Sequence, residues 1–315
     1  MSTIQVQSPG MFTTVQDLGR YGYGPLGVSP SGAADPTALR VGNLLVGNVE
    51  SAAALEMTLL GGTFLFPEDG VIALAGADFS ATVDAAPIPA WTACEIRSGA
   101  TLRIGGTQAG ARCYLCVRGG IAVKMLLGSA STHILTGLGG FAGRPLKKGD
   151  VLQIGEPSGT PRTIVREMLE KLAPRKILRA TDGPQTDWFL RQSVELFFGS
   201  AYKVTEESNR MGLRLEGPAL EMPHTHFNNG QMISEGVSLG AIQVPAGGKP
   251  IILFVEQQTT GGYPKIANII AADLPSIGQL RPRDELRFEH VSAETARALI
   301  REREELILSG ALFRD

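Results

Sequence analysis

The strongest constraint on this chain is a short apolar run that recurs along its length and is stopped each time by Gly, Pro or Asp. In the first half the run occurs at Gly62–Phe66, Val71–Ala75, Thr101–Ile104, Arg112–Val117 and Val151–Ile154. In the second half it occurs at Lys176–Arg179, Tyr202–Glu206, Arg214–Glu216, Gly240–Val244, Ile251–Glu256 and Glu285–Phe288. These runs are rich in Val, Ile, Leu and Phe, too short for helices, and closely punctuated by turn residues. That is the pattern of a barrel or sandwich. With Gly at 39 of 315 positions, tight turns are available throughout. The fold class is read as mainly β.

Three helices interrupt the rhythm. Asp35-Pro36 supplies an N-cap and a first-turn proline before TALRVGNLLVGN, where Leu39, Leu44 and Leu45 share a face. Gln185–Phe197 places Phe189, Val194 and Phe197 near helical spacing. Ser292–Leu308 opens on a Ser cap and turns Ala296, Leu299 and Ile300 inward, leaving REREEL as a solvated face. Between them, EPSGTPRTIVREMLEKLAPRK (Glu156 to Lys176) replaces apolar runs with Ser, Gly, Pro and charge. The chain is long enough for two cores, so a first unit is expected over residues 1–160 and a second over 175–315. A weak internal echo agrees: Gly149-Asp150 precedes VLQI, and Arg283-Asp284 precedes ELRF.

Composition removes several functions. Hydrophobic residues at 43% and charged residues at 19% belong to a folded chain, and a net charge of −2 offers no attraction to nucleic acid or anionic membrane. The N-terminus MSTIQVQSPG lacks the basic and apolar regions of a secretion signal, and no run reaches the roughly 18 apolar residues of a membrane span. A cytoplasmic location is expected. Three cysteines suit a reducing compartment. Cys113 and Cys116, three apart in a strand, fall on opposite faces and read as buried structural residues. Gly248-Lys249 runs into proline and lacks the leading glycine of a phosphate loop. GLGGFAGR, from Gly137, has the wrong spacing for a dinucleotide turn and reads as a loop. His224-Thr-His226, with Glu221 near, lacks an evident third ligand and reads as surface loop; no metal is expected.

Four polar clusters, dense in glycine and set against apolar segments, remain. In TTVQDLGRYGYGPLGVSPSGAAD (Thr13 to Asp35), Gln16, Asp17 and Arg20 put an amide, a carboxylate and a guanidinium close together; the plain reading is a capped turn with an internal Asp–Arg pair. TDGPQTD (Thr181 to Asp187) leads into the middle helix, where its two Asp are explained as capping. EESNRMG (Glu206 to Gly212) sets Asn209 and Arg210 in a turn; Arg210 either grips a carboxylate or phosphate or closes on Glu207. VEQQTTGGYPKIA (Val255 to Ala267), preceded by SEGVSLGAIQVP from Ser234, carries seven polar or aromatic side chains and two glycines directly after the apolar IILF.

Taken in order, TTVQDLGRYGY, GVSPSGAADPTALRVGNLLVGN, LEMTLLGG, SNRMGLRLEG, SEGVSLGAIQVP and QQTTGGYPKIA resemble the KipA / allophanate hydrolase subunit 2 family, also called the biotin-dependent carboxyltransferase family, subdomains C and D. The likeness runs from about Met11 to Phe288, and within the family the chain is most similar to the C subunits of bacterial ATP-dependent 5-oxoprolinases. The resemblance implies two cyclophilin-like β-barrel subdomains. It also implies two partners of 5-oxoprolinase, a KipI-like B subunit and an A subunit, with ATP used at the level of the complex. In urea carboxylase relatives it implies carboxyl transfer from biotin to urea. This chain has no biotin-carrier lysine motif and no biotin carboxylase region, so the alternative reading needs other chains. A non-catalytic regulatory partner of a KipI-like protein is a further alternative. Relatives often have Asp at the position of Asn209, so proton transfer is not assigned there.

Both reactions act on an O=C–N group made inert by resonance. Activating it calls for donors at oxygen, an acceptor or base at nitrogen, and an anchor for any carboxylate. On that basis Asp17, Arg20, Gln257, Gln258 and Thr260 are expected to be catalytic, with Asp17 as base or orienting carboxylate and Arg20 or Arg210 as anion anchor. Gln16, Asp35, Arg210, Glu235, Thr259, Gly261, Gly262 and Tyr263 are expected to bind substrate.

Overall fold

The computed structural model describes residues 2–223 and 232–314. The fold is mainly β, and contacts divide it into two compact units, neither continuous in sequence. The first comprises Met1–Arg20, Ser31–Leu172 and Leu306–Asp315, the second Tyr21–Pro30 and Ala173–Glu305.

The first unit is built on two sheets. One has seven strands in the order Ile121–Ala122, Val151–Ile154, Thr3–Ser8, Thr63–Phe66, Ala100–Arg103, Thr82–Val83 and Ala86–Pro87; the other has five, in the order Thr13–Gln16, Ala54–Thr58, Arg112–Val117, Gly70–Gly76 and Cys94–Ile96. Ile4, Val6, Phe64 and Leu102 from the first sheet share one core with Val15, Leu55, Ile72, Cys113 and Leu115 from the second. Arg112–Val117 is buried at every position. Cys113, Leu115 and Val117 face the core between the sheets, whereas Tyr114 and Cys116 face the helix Pro36–Leu45. The two cysteines therefore lie on opposite faces of one strand, as the period of two demands, and burial pushes both thiols up. The helix starts where Asp35 Oδ1 accepts the Ala38 N–H at 3.0 Å, ahead of the first-turn Pro36. Leu39 and Leu45 are fully buried and Leu44 partly so. Gly42 brings the helix against the sheet: a Cβ there would lie 2.7 Å from Cys116 Sγ.

The second unit is a closed barrel, in the order Ile177–Asp182, Lys265–Ile269, Ala241–Gln243, Ile251–Leu253, Gly212–Glu216, Ala201–Val204 and Glu285–His290. Its closing pair, Ile177–Asp182 with Glu285–His290, is parallel, so no strand is left with an open edge. The expected helix Gln185–Phe197 is broken. Thr186–Trp188 is a 3-10 turn, Phe189 is extended at ψ 149°, and the α-helix runs over Arg191–Gly199. The reason lies at Thr186, whose Oγ1 donates to Ile266 O at 2.6 Å and accepts from Gly183 N at 2.8 Å, tying the first turn to the barrel wall. Phe197 stacks on Phe288 with centroids 4.4 Å apart. The last helix, Ala293–Leu308, begins where Ser292 Oγ accepts the Thr295 N–H. Among the described residues no helix is long and apolar enough to cross a membrane.

The segment that breaks the strand rhythm folds into the first unit as far as Leu172. Thr163–Ile164 pairs with Phe313–Arg314, and Met168, Leu169 and Leu172 join the cluster around the first helix. The internal echo is a shared turn. Asp150 Oδ2 accepts the Lys147 N–H at 2.7 Å and Asp284 Oδ2 accepts the Arg281 N–H at 2.9 Å; the preceding Gly149 and Arg283 both have positive φ, at 90° and 73°.

In the first of these turns Asp150 also receives both Arg144 Nη1 and Nη2 at 2.8 Å. Those hydrogen bonds hold the Asp150 carboxyl below the usual carboxylate range, against the opposing effect of burial. A carboxyl depressed in the folded state contributes stability that is present above its unfolded pKa and lost as pH falls through the folded value. Arg144 is 30% exposed, which weakens the pair by solvent screening. Asp150→Asn is expected to cost about 1 kcal/mol at neutral pH. Urea denaturation should show the difference from wild type shrinking as the medium is taken below roughly pH 4, the range of a free Asp.

Candidate functional site

In the first unit the polar residues of the QDLGR stretch follow the strand Thr13–Gln16, which is buried at all four positions and paired with Ala54–Thr58. The Gln16 amide donates to Thr14 Oγ1 at 3.0 Å and Thr132 O at 3.2 Å, while its Oε1 is buried with no donor among the described residues. Asp17 Oδ1 accepts from Gly19 N at 2.8 Å, from Ser129 Oγ at 2.6 Å and from Ser131 Oγ; Oδ2 accepts from Ala130 N at 2.6 Å. A carboxylate offers about four acceptor positions, and here four donors of the same unit use them. Arg20, buried at 2% exposure, donates through Nη2 to Ser131 O and through Nε to Leu126 O at 3.5 Å. The expected Asp17–Arg20 pair is thus replaced by two residues that both grip the 126–132 loop. Asp17 holds its Ala130 amide and its two serine hydroxyls, and Arg20 holds its carbonyls.

The glycines of GLGGFAGR belong to the same packing. Gly139 and Gly140 have φ of 66° and 55°, and a Cβ would fall 2.2 Å from Ser131 O at the first and 1.9 Å from Thr132 Oγ1 at the second. Asp35 is the helix cap, and its N–H donates to Tyr114 Oη at 2.7 Å. Tyr114 in turn donates to Glu56 Oε2 at 2.7 Å, which also accepts Ala34 N–H at 2.8 Å. Burial first, then the charge of Glu56, raises the Tyr114 phenol well above its ordinary value. This network is a donor to a carboxylate and an anchor for the helix start.

In the second unit, Val255 to Ala267 leaves the strand Ile251–Leu253 and returns as the strand Lys265–Ile269. Glu256 turns inward onto Arg210, Oε1 to Nε at 2.5 Å, with side chains 3% and 8% exposed. Arg210 therefore meets Glu256, not Glu207; Glu207 lies 3.7 Å from Arg214. Asn209 Oδ1 accepts Met211 N–H at 2.8 Å and closes the turn. The Gln257 amide, in the orientation that satisfies both its ends, donates to Ser238 O at 3.0 Å and accepts from Leu239 N at 2.9 Å. Gln258 Nε2 donates to Gln243 Oε1 at 3.2 Å. Thr260–Gly261 forms a two-stranded ribbon with Glu235–Gly236, in which Glu235 lies opposite Gly261. Thr259 O accepts Val237 N–H at 3.1 Å and Gly262 O accepts Met232 N–H at 3.1 Å, while Tyr263 is half-buried at the bend before Pro264.

Three residues absent from the expected site stand at its centre. Lys265, 2% exposed, brings Nζ to 2.5 Å from Glu235 Oε1. Gln185 Nε2 donates to the same oxygen at 2.9 Å, and Gln185 Oε1 accepts the Lys265 N–H at 3.1 Å. Gln243 is 1% exposed and is the cross-strand partner of Lys265. The Lys265 ammonium, then the Gln185 amide, lowers the Glu235 carboxyl below its ordinary value and keeps it ionised. A signal for these residues exists in the sequence: a Lys opening PKIANII and a Gln inside GAIQVP are polar side chains in runs that read as buried. His224 and His226 lie outside the described residues.

Chemically, the second unit's cluster offers an ammonium, carboxamides and hydroxyls around one carboxylate, which suits recognition of a neutral, polar, planar group. In the first unit's cluster the Asp17 carboxylate is filled by donors of its own unit.

Residues 26–290 match the family model described as carboxyltransferase domain, subdomain A and B; the letters differ from the C and D of the motif resemblance. The chain is 40% identical to the C subunit of 5-oxoprolinase from Escherichia coli (strain K12) over 300 residues, 93% of each chain. It is 36% identical to urea amidolyase of Saccharomyces cerevisiae over 316 residues, 95% of this chain and 17% of that protein. The crystal structure of Kluyveromyces lactis urea carboxylase superposes with a TM-score of 0.92 at 34% identity, covering 98% of this chain and 29% of that one. The chain thus spans less than a third of that urea carboxylase. Sequence match, motif order and superposition agree over nearly its whole length, and the chain belongs to the carboxyltransferase domain family.

Proposed function

We propose that the chain is the C-type component of a cytoplasmic 5-oxoprolinase, which opens the lactam of 5-oxoproline to glutamate together with a KipI-like B subunit and an A subunit. The observation that carries this reading is the likeness to the C subunit of 5-oxoprolinase along almost the whole of both chains. The second unit's chemistry supports it. A lactam is a neutral O=C–N group, and the buried donors around Lys265 and Gln243, with the Gln258–Tyr263 turn beside them, match its oxygen better than they match a polyanion. Lys265 is already neutralised by Glu235, so the cluster lacks the cationic surplus a triphosphate requires. ATP is accordingly assigned to the complex, where it supplies the activation of the lactam oxygen. No residue of this chain is given a step on it.

Within this reading Gln258, Thr259, Thr260, Gly261, Gly262 and Tyr263 surround the substrate, and Glu235 orients Lys265. Asp17, Arg20, Gln16 and Asp35 hold the first unit's loop and helix, and Arg210 holds Glu256. A second reading, carboxyl transfer to urea with biotin carried on another chain, is favoured by the superposition on urea carboxylase.

The test is to combine the chain with its A and B partners, ATP and 5-oxoproline and to measure glutamate. A parallel mixture holds urea, bicarbonate and a biotinylated carrier. Glutamate formation that requires this chain is expected. Equal glutamate formation without it, or biotin-dependent urea carboxylation in its place, overturns the assignment.

A further inference from the structure

We propose that Lys265 Nζ and Gln243 Nε2 together form a binding site for the carbonyl oxygen of an amide-type ligand. Both nitrogens are buried; among the described residues Gln243 Nε2 has no acceptor, while Lys265 Nζ faces Glu235 Oε1 at 2.5 Å and has no second acceptor. That carboxylate oxygen accepts from Gln185 as well and takes up one of the three N–H bonds of the ammonium, which leaves two to spare. Gln243 uses its Oε1 to accept from Gln258, which leaves its NH2 end as the unused donor. Burying a donor without an acceptor costs roughly the desolvation of that group, and here the Gln243 amide sits on the residue paired with Lys265 across neighbouring strands, where the register shifts by a bulge. Opposed residues on an antiparallel pair project from the same face with Cβ atoms about 5 Å apart, close enough for both donors to reach one oxygen.

The ribbon Glu235–Gly236 with Thr260–Gly261 covers this pair corner to corner. Glu235 meets Lys265, while Gly261, opposite Glu235, meets Gln243: a Cβ on Gly261 would lie 2.4 Å from Gln243 Nε2. The glycine is therefore what leaves the amide its place. Charge selects the ligand. One ammonium and one carboxylate cancel, so the site has donors without net positive charge. That favours a polarised neutral carbonyl, as in a lactam or urea, over a free carboxylate. The inference deepens the proposed function and rests on its substrate class, though not on the choice between lactam and urea.

The experiment uses the full chain and three variants, with binding of 5-oxoproline, 2-pyrrolidinone, urea and proline followed by NMR titration and stability by thermal unfolding. Gln243→Glu is the informative change. It keeps the acceptor for Gln258 but puts a carboxylate oxygen beside Lys265, filling the place of the ligand's oxygen. It should raise Tm by on the order of 2 °C and weaken binding of the O=C–N ligands at least about tenfold. Lys265→Met should weaken binding by a similar factor, and Gly261→Ala should do so with no change of charge. Proline, which lacks the lactam carbonyl, should not bind. Unchanged affinity in Gln243→Glu despite a higher Tm overturns the proposal, as does binding of proline with equal strength, or no saturable binding of any O=C–N ligand by the wild-type chain. Urea binding with the same variant pattern sustains the site while removing the 5-oxoprolinase assignment. Full glutamate production by Gln243→Glu in the complex does the reverse.

Discussion

Asp17→Asn is expected to destabilise the protein by about 2–4 kcal/mol, the loss appearing as a lower urea midpoint without loss of folded secondary structure at low denaturant. The carboxylate collects four donors, two backbone N–H groups and two serine hydroxyls, and three of them come from the consecutive residues 129–131. An amide in its place presents an NH2 group where an acceptor is needed. Whichever way it is turned, at least one backbone N–H then faces a donor. Serine hydroxyls rotate and find new partners; backbone amides do not, and each one left unsatisfied costs about 1–3 kcal/mol. Arg20 grips the carbonyls of the same loop, so loosening Asp17 loads Arg20 as well. Ser129→Ala removes one donor to Asp17 and the acceptor of the Ser131 N–H, and is expected to cost about 1–3 kcal/mol. A residue whose task was proton transfer would lose turnover with stability intact.

The second large effect is expected at Glu256. Glu256→Gln removes the charge facing Arg210 in a place where neither side chain reaches solvent, at 3% and 8% exposure. Breaking a buried pair on one side strands the other charge, and the expected cost is about 3–5 kcal/mol. The paired change Arg210→Met with Glu256→Leu should recover most of that loss, because two apolar side chains of similar volume carry no desolvation penalty. A double-mutant cycle by equilibrium denaturation measures the coupling directly. Coupling near zero would return Arg210 to the role of an anion anchor, in which case its replacement would raise KM and leave stability alone.

Some of this architecture is readable in the sequence and some is hidden, for physical reasons. Arg112–Val117 and Val151–Ile154 are legible with their limits because their apolar residues alternate or fill the strand and turn residues bound them. The strand Thr13–Gln16 is not: TTVQ is buried at every position, yet three of its four side chains are polar and find partners inside the fold. Lys265–Ile269 is hidden for the same reason, since a lysine at its head reads as a solvated end. The break in Gln185–Phe197 depends on a hydroxyl reaching a carbonyl 80 residues away, which no local period reveals. At the site, pattern locates the right stretches but not the division of labour within them. Polar density marks QDLGR and QQTTGGYP equally. Only the hydrogen-bond accounting separates a carboxylate filled by its own loop from an amide and an ammonium left with donors to spare.

The interleaving of the two units has a consequence for how the chain is made. Residues 21–30 emerge early in synthesis but pack with a unit whose remaining residues begin at Ala173, and the first unit's helix cluster includes Ile307 and Leu312. The second unit waits for Glu305, and the first for the residues that follow it. A chain extended at about 5–20 residues per second then holds a partly built first core, with the apolar contacts of Ile307 and Leu312 missing, until that segment has left the exit tunnel. Nascent-chain protection by chaperones and the timing of release should matter more for this protein than for two domains strung end to end.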